Sequence, residues 1–167
     1  MLPHLRRPDQ GAVTLAVGVG AFRAAPSGDG AAPHEVPLEV VATAFDRGGP
    51  PKGVERQRLE LSWPASATQE ARFDVLSRLD LPPGDYEIRV GVSGSDPSRT
   101  ASVFTYITVP AFDSTPLSLS SLVIGAPPGT FTAPKDFLAP LFAMVPTARR
   151  NFANSDRLLG FLRIYQG

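Results

Sequence analysis

The sequence predicts an all-β protein: an antiparallel β-sandwich, a proline-rich connector and one extra C-terminal strand. Three observations support this prediction. Apolar and polar residues alternate at period two in several runs. These runs recur at intervals of about a dozen residues, and clusters of turn-forming residues separate them. Finally, 18 prolines and 15 glycines in 167 residues interrupt the chain too often for long helices.

Residues 12–25, AVTLAVGVGAFRAA, follow the basic segment MLPHLRRPDQ and therefore have the outline of a secretory signal peptide. A second interpretation fits their order better, because larger and smaller side chains alternate along the run as in a strand. The larger ones are Val13, Leu15, Val17 and Val19. We interpret the run as the first strand, so no signal peptide is evident in this chain, and whether residues 1–25 are ever cleaved stays open.

Five further runs have strand character. They are 36–45, 56–63, 71–80, 81–94 and 101–109. In the clearest of them Tyr86, Ile88 and Val90 lie on one face, as expected for a strand with one face on a core. The carboxylates of Asp74 and Asp80 are predicted to lie on an outward face or in a turn, exposed to water.

The sequence Leu81-Pro82-Pro83-Gly84-Asp85-Tyr86 is a candidate tyrosine corner, in which the Tyr86 hydroxyl returns to the backbone a few residues upstream. An ordinary half-buried strand tyrosine is the alternative. The corner indicates that residues 10–124 form an immunoglobulin-like sandwich. A transthyretin-like sandwich, in which PGxY hairpins also occur, remains an alternative that strand order separates.

After Val109 the regular alternation of apolar and polar residues gives way to serine-rich and proline-rich segments. Residues 117–124, LSLSSLVI, are predicted to form another strand or an extension of the sheet edge. Residues 125–150 contain five prolines and are predicted to be an ordered connector. Its apolar residues should lie over the sandwich: Phe131, Phe137, Leu138, Leu141, Phe142 and Met144. Residues 151–167 read as the first strand of a following β module, expected to fold onto the connector or to self-associate.

Few residues suggest chemistry. The two histidines, His4 and His34, have no ligand cluster nearby, and no Gly-x-Ser-x-Gly motif is present. The segments GVGAF (18–22) and GGPPKG (48–53) lack phosphate-loop spacing, and SGSDPS (93–98) has one aspartate, too few to prefer calcium over a turn. We therefore expect no enzymatic activity, no metal and no cofactor.

The composition also argues against two kinds of partner. Sixteen Lys+Arg balance 16 Asp+Glu, so the chain lacks the basic surface used for nucleic acid or anionic membranes. No cysteine is present, which removes disulfides and Cys-ligated zinc. Apart from the opening segment, no apolar run approaches the roughly 20 residues of a spanning helix. We expect no nucleic-acid partner and no membrane insertion of this chain.

Three aromatic residues, Trp63, Phe104 and Tyr106, form a candidate ligand or partner surface. Phe104 and Tyr106 share one face of the 101–109 strand, while Val103, Ile107 and Val109 lie on the other. A strand that is apolar on both faces is typically central and covered on each side. The sequence therefore favours a covered strand, with the connector lying over the two rings.

Four elements occur in a characteristic order and spacing: Leu81-Pro82-Pro83-Gly84-x-Tyr86, Arg99-Thr100-Ala101-Ser102, Val109-Pro110-x-Phe112 and Leu117-Ser118-Leu119-Ser120-x-Leu122. With them, most of residues 71–167 resembles the region downstream of the A domain in VWFA-related (von Willebrand factor A-like) exported proteins of Acidobacteria and similar bacteria. The family's Asp-x-Ser-x-Ser metal motif is absent here, so metal-dependent adhesion is not carried over.

The resemblance implies a non-catalytic structural or protein-interaction module of a larger exported bacterial protein, periplasmic or extracellular. Its partners would be other domains of the same or a neighbouring polypeptide. The alternative is a module that binds carbohydrate or peptide, either through exposed aromatic residues or through the loops at one end of the sandwich.

Overall fold

The computed structural model is all-β, which confirms the predicted fold class. It describes residues 11–22, 34–63, 71–96, 98, 100–112, 114, 116–127, 130–134 and 137–166. Six long strands are β1 Gly11–Phe22, β2 His34–Asp46, β3 Pro51–Trp63, β4 Ala71–Leu81, β5 Gly84–Gly94 and β6 Thr100–Val109. Five short strands are β7 Ser118–Leu119, β8 Val123–Ile124, β9 Phe131–Ala133, β10 Gly160–Phe161 and β11 Ile164–Tyr165.

The long strands form two sheets. One has the order β3-β2-β5-β6 and is antiparallel throughout. The other has the order β1-β4-β9, with β1 and β4 antiparallel and β9 parallel to β4. The chain therefore crosses between the two sheets three times. It begins with β1 in the β1-β4-β9 sheet, forms β2 and β3 in the four-stranded sheet, returns for β4, and crosses back for β5 and β6. The run 12–25 that was predicted to be the first strand forms β1 as far as Phe22, and its last three residues lie outside the described part of the chain.

The inward faces of both sheets share one hydrophobic core. Its buried members from the β1-β4-β9 sheet are Phe73, Val75, Leu79 and Leu81 of β4, at alternate positions. The facing members are Leu38, Val40, Ala42 and Ala44 of β2, Leu61 of β3, Tyr86, Ile88 and Val90 of β5, and Val109 of β6. Along β2, β3 and β5 more buried positions alternate with less buried ones, as expected for a sandwich.

A tyrosine corner fixes the crossing from β4 to β5. The Tyr86 hydroxyl donates a hydrogen bond to the carbonyl oxygen of Pro82 at 2.9 Å, and the side chain is 6% exposed. Gly84 has a φ of +154° and packs beneath the ring, where a Cβ would lie 3.5 Å from ring atoms. Pro82 and Pro83 are exposed on the outside of the turn. The buried ring therefore ties the start of β5 to the end of β4.

The C-terminal residues pair with the segment that follows β6. Phe161 lies opposite Val123 in the β8–β10 ladder, and Tyr165 lies opposite Ser118 in the β7–β11 ladder. The Tyr165 ring packs on Phe112 with centroids 4.2 Å apart. Residues 117–124 were predicted to form one strand or a sheet-edge extension, and this is wrong. They form two separate two-residue strands because each pairs with a different part of the C-terminal segment.

Part of the connector covers the outer face of β4. Beside β4 in the sheet, Phe131 of β9 packs on the inward-facing Phe73 with ring centroids 5.3 Å apart. Asp74 is 2% exposed and accepts a hydrogen bond from the Thr147 hydroxyl. The prediction of a solvated Asp74 is therefore wrong, because a segment distant in sequence lies over that face. Asp80, by contrast, is exposed and pairs with Arg78.

Candidate functional site

Two aromatic side chains project from the outer face of the four-stranded sheet. Phe104 is 63% exposed and Tyr106 is 71% exposed, although both are in β6. Their ring centroids lie 5.9 Å apart at an interplanar angle of 78°, an edge-to-face pair. The prediction that the connector covers this strand is wrong, because the connector lies over β4 in the opposite sheet. The two rings form a ridge that faces outward.

A row of charged residues on β5 lies beside the ridge. Arg89 is directly opposite Phe104 in the β5–β6 ladder, and Glu87 is opposite Tyr106. The Arg89 guanidinium donates from Nε to Glu87 Oε1 and lies 4.7 Å from the centroid of the Phe45 ring on β2. A cation over an aromatic face is an attractive arrangement that also restricts the guanidinium. The outer sheet face thus carries an ordered cluster of these five residues, called the β6 patch below.

Arg89 also determines the charge state of Glu87. Its hydrogen bond holds the pKa of Glu87 below the usual value, and the Coulomb attraction of the guanidinium acts in the same direction. A hydrogen bond from Tyr106 lowers this pKa further, while desolvation opposes both effects. The β6 patch therefore presents a carboxylate and a guanidinium together at neutral pH.

A shallow cavity of about 450 Å³ adjoins Tyr106 at one end of the sandwich. The β2–β3 turn, including Gly48 with a φ of +77°, forms one wall. Asp85 lies at the rim, where it accepts a hydrogen bond from Thr108 at 2.7 Å and lies 3.9 Å from Arg47. The β6 patch is consequently bordered by polar groups that already have partners of their own.

The structure does not bring all three predicted aromatic residues together. Phe104 and Tyr106 lie on β6 at one edge of the four-stranded sheet, whereas Trp63 is the last residue of β3 at the other edge. The Trp63 side chain lies outside the described part of the structure. Phe45, Glu87 and Arg89 were not singled out from the sequence. A signal existed for the two β5 residues, because the β5–β6 hairpin places alternate residues of its strands opposite one another.

Neither a metal centre nor a membrane span is found in the part of the chain that the structure describes. No group of three or more His, Asp or Glu side chains is close enough there to hold a metal ion. No helix among the described residues has the length and apolarity to cross a membrane. His4 lies outside the described residues, as does the side chain of His34.

Comparisons of the chain with protein-family models, with curated proteins and with solved structures returned no match.

Proposed function

We propose that this chain is a non-catalytic β-sandwich module that binds a protein partner through the β6 patch. The observation that carries the proposal is the exposure of Phe104 and Tyr106, at 63% and 71%, side by side on a regular strand. Burying apolar surface is favourable by roughly 25 cal/mol per Å², so covering either exposed ring would contribute favourably to the free energy of binding. A protein surface that covers both rings would gain this contribution from each of them.

The residue types of the β6 patch support a protein partner. Tyrosine, phenylalanine and arginine are enriched at the centres of protein interfaces, and binding energy concentrates in such residues. Arg89 is already held by Glu87 and Phe45, so little side-chain freedom is lost when a partner binds. An ordered cluster of this kind favours a specific contact over nonspecific adhesion.

The ring geometry favours protein over carbohydrate, the alternative occupant. A sugar ring stacks flat against an aromatic face, and two adjacent aromatic rings serve one oligosaccharide when their faces are nearly coplanar. Phe104 and Tyr106 are 78° apart, so only one of the two rings can present its face to a given plane. Side chains of a folded partner can fit such an angled ridge, because they approach from several directions.

Strand order supports the further proposal that the sandwich is immunoglobulin-like. In that fold strands B and E share one sheet, while C, F and G share the other and C′ joins the latter in variable-type domains. Here β1 and β4 pair in one sheet, and β3-β2-β5-β6 matches the order C′-C-F-G. A transthyretin-like arrangement has no such support. We also propose, from the resemblance of residues 71–167 alone, that the module belongs to a larger exported bacterial protein.

Photo-crosslinking tests the proposed function. The variant Phe104→p-benzoylphenylalanine, expressed in the native cells and irradiated, should yield one dominant crosslinked protein that mass spectrometry identifies. The matched control carries the same photoreactive residue at Val54, which is 56% exposed on β3 at the opposite edge of the same sheet. A crosslink pattern identical for the two positions would contradict the proposal, and retention on a polysaccharide that depends on Tyr106 would favour the carbohydrate alternative.

A further inference from the structure

A second candidate binding site lies on a different side of the molecule. A cleft of about 510 Å³ opens between the first half of β1, the end of β6 and the C-terminal strands. Its volume is in the usual range of ligand pockets. Neither Phe104 nor Tyr106 lines this cleft. Ile107 and Thr108 line both the cleft and the cavity beside Tyr106.

Sheet edges form the walls of this cleft. Residues 11–16 of β1 line it consecutively, as do residues 107–110 at the end of β6. Successive residues of a strand point to opposite faces, so a cleft lined by every residue in turn lies along the edge of the strand. Both β1 and β6 are the last strands of their sheets, and among the described residues neither has a strand partner on its outer side. Edge strands present unpaired backbone donors and acceptors.

The cleft lining is mixed, with more apolar than polar surface, and the charge that it carries is positive. The two charged residues in its described lining are Arg150 and Arg163, and no aspartate or glutamate is among them. Arg163 donates from Nη2 to the carbonyl oxygen of Leu141 at 3.1 Å, and Arg150 donates from Nη1 to the carbonyl oxygen of Thr147 at 3.3 Å. Neither pairs with a carboxylate of the described residues, so both keep guanidinium donors for a carboxylate from outside.

We propose that this cleft binds an extended acidic peptide strand of a partner polypeptide, which pairs with the free edge of β1. Backbone hydrogen bonds to the edge would supply affinity, while apolar side chains at alternate positions would enter the cleft. A glutamate or aspartate of the peptide would meet the guanidinium groups of Arg150 and Arg163. Six residues of β1 span about 20 Å, so the bound segment is about six residues long.

Fluorescence anisotropy with the full chain and two labelled heptapeptides tests the charge requirement. The probes are Thr-Val-Glu-Val-Thr-Val-Thr and the same peptide with lysine in place of glutamate. We expect saturable binding of the glutamate peptide and binding at least about tenfold weaker for the lysine peptide. Because the protein is unchanged, this comparison does not depend on how a variant folds. Equal binding of the two peptides, or no binding of the glutamate peptide, would overturn the proposal.

Variants and backbone modification locate the site. Arg150→Gln and Arg163→Gln should each weaken the glutamate peptide about threefold or more, a typical loss for an accessible ion pair. Arg157→Gln, an exposed arginine outside the cleft, should leave binding unchanged. Two versions of the glutamate peptide, N-methylated at odd or at even positions, should differ, because strand pairing uses the amides on one edge only.

Three results would overturn the proposal: equal binding of both N-methylated peptides, equal weakening by all three arginine variants, or self-association of the protein that the cleft variants abolish. The last would make a second copy the occupant. None of these results would bear on the proposed function of the β6 patch, because the peptides and the variants address a different surface of the protein.

Discussion

Asp74 and Thr147, 73 residues apart in the chain, meet in a buried hydrogen bond between β4 and the connector. The Thr147 hydroxyl donates to Asp74 Oδ2, and the hydroxyl oxygen of Thr147 itself accepts a hydrogen bond from the backbone N–H of Arg149 at 3.1 Å. Asp74 and Thr147 are 2% and 4% exposed. Because both partners are buried, losing either one leaves the other without its hydrogen bond, so the contact couples the fold of the sandwich to the position of the connector.

Removing the Thr147 hydroxyl should therefore destabilise the protein. Thr147→Val keeps the shape of the side chain but leaves the buried Asp74 carboxyl without this donor, at a cost of about 1–3 kcal/mol in the free energy of unfolding. Urea unfolding followed by tryptophan fluorescence measures the change. Thr147→Ser, which retains the hydroxyl, should recover most of the lost stability. An unchanged urea midpoint for Thr147→Val would show that the contact contributes nothing.

The tyrosine corner gives a second prediction. Tyr86→Phe removes the hydroxyl that donates to Pro82 and leaves the buried ring in place. We expect a loss of about 1 kcal/mol, the usual net contribution of one hydrogen bond. Tyr106→Phe is the matched control, because that ring is 71% exposed. Equal urea midpoints for wild type and Tyr86→Phe would exclude a stabilising role for the corner.

Gly84 should tolerate substitution less well than Gly91. The φ of +154° at Gly84 is a conformation that residues with a Cβ rarely adopt, so Gly84→Ala should cost about 1–3 kcal/mol. Gly91 lies in the same strand with no atom within 4 Å of an added Cβ, and alanine there should be neutral or stabilising. Thermal unfolding of the two variants side by side checks the contrast, which similar melting temperatures would refute.

The Arg89–Glu87 pair predicts a specific pH dependence. The pKa of Glu87 is lowered in the folded protein, mainly by the hydrogen bond from Arg89. The pair therefore stabilises the fold at pH values above the unfolded pKa of about 4.3, and its contribution is lost as the pH falls through the lowered value. Carboxyl ¹³C NMR should give Glu87 a titration midpoint below the usual value for a glutamate.

The variant Arg89→Met should raise the Glu87 midpoint toward the usual value. Glu39 is an internal control, since its pKa is lowered mainly by a hydrogen bond from Arg56 on a different pair of strands. The Glu39 midpoint should stay the same in the variant. A Glu87 midpoint that does not respond to the loss of Arg89 would assign its shift to another group.

Sequence patterns predicted the parts of the fold in which one face of a strand is apolar. In β5, Tyr86, Ile88 and Val90 were assigned to the core from period two, and all three are buried. The Pro82–Tyr86 segment was recognisable because its turn residues and tyrosine lie within a few positions of each other. Local spacing suffices for such features, since the interacting groups are neighbours in sequence.

The same patterns did not predict what covers the outward faces. Asp74 and Phe104 both occupy outward positions, yet the first is buried beneath a segment some 70 residues away and the second is exposed. Periodicity assigns a residue to one face of a strand, but which distant segment lies over that face depends on long-range packing. The proline-rich segment carried too little periodicity to show that β9 would pair beside β4.

The affinity of the crosslinked partner for variants of the β6 patch tests the central claim most directly. By isothermal titration calorimetry, Tyr106→Ser should bind the purified partner at least about tenfold more weakly than wild type, as expected for an aromatic hot spot. The control Val54→Ser, on the same sheet face at the opposite edge, should bind as wild type does. Equal affinities of wild type and Tyr106→Ser would contradict the claim that this patch is the binding surface.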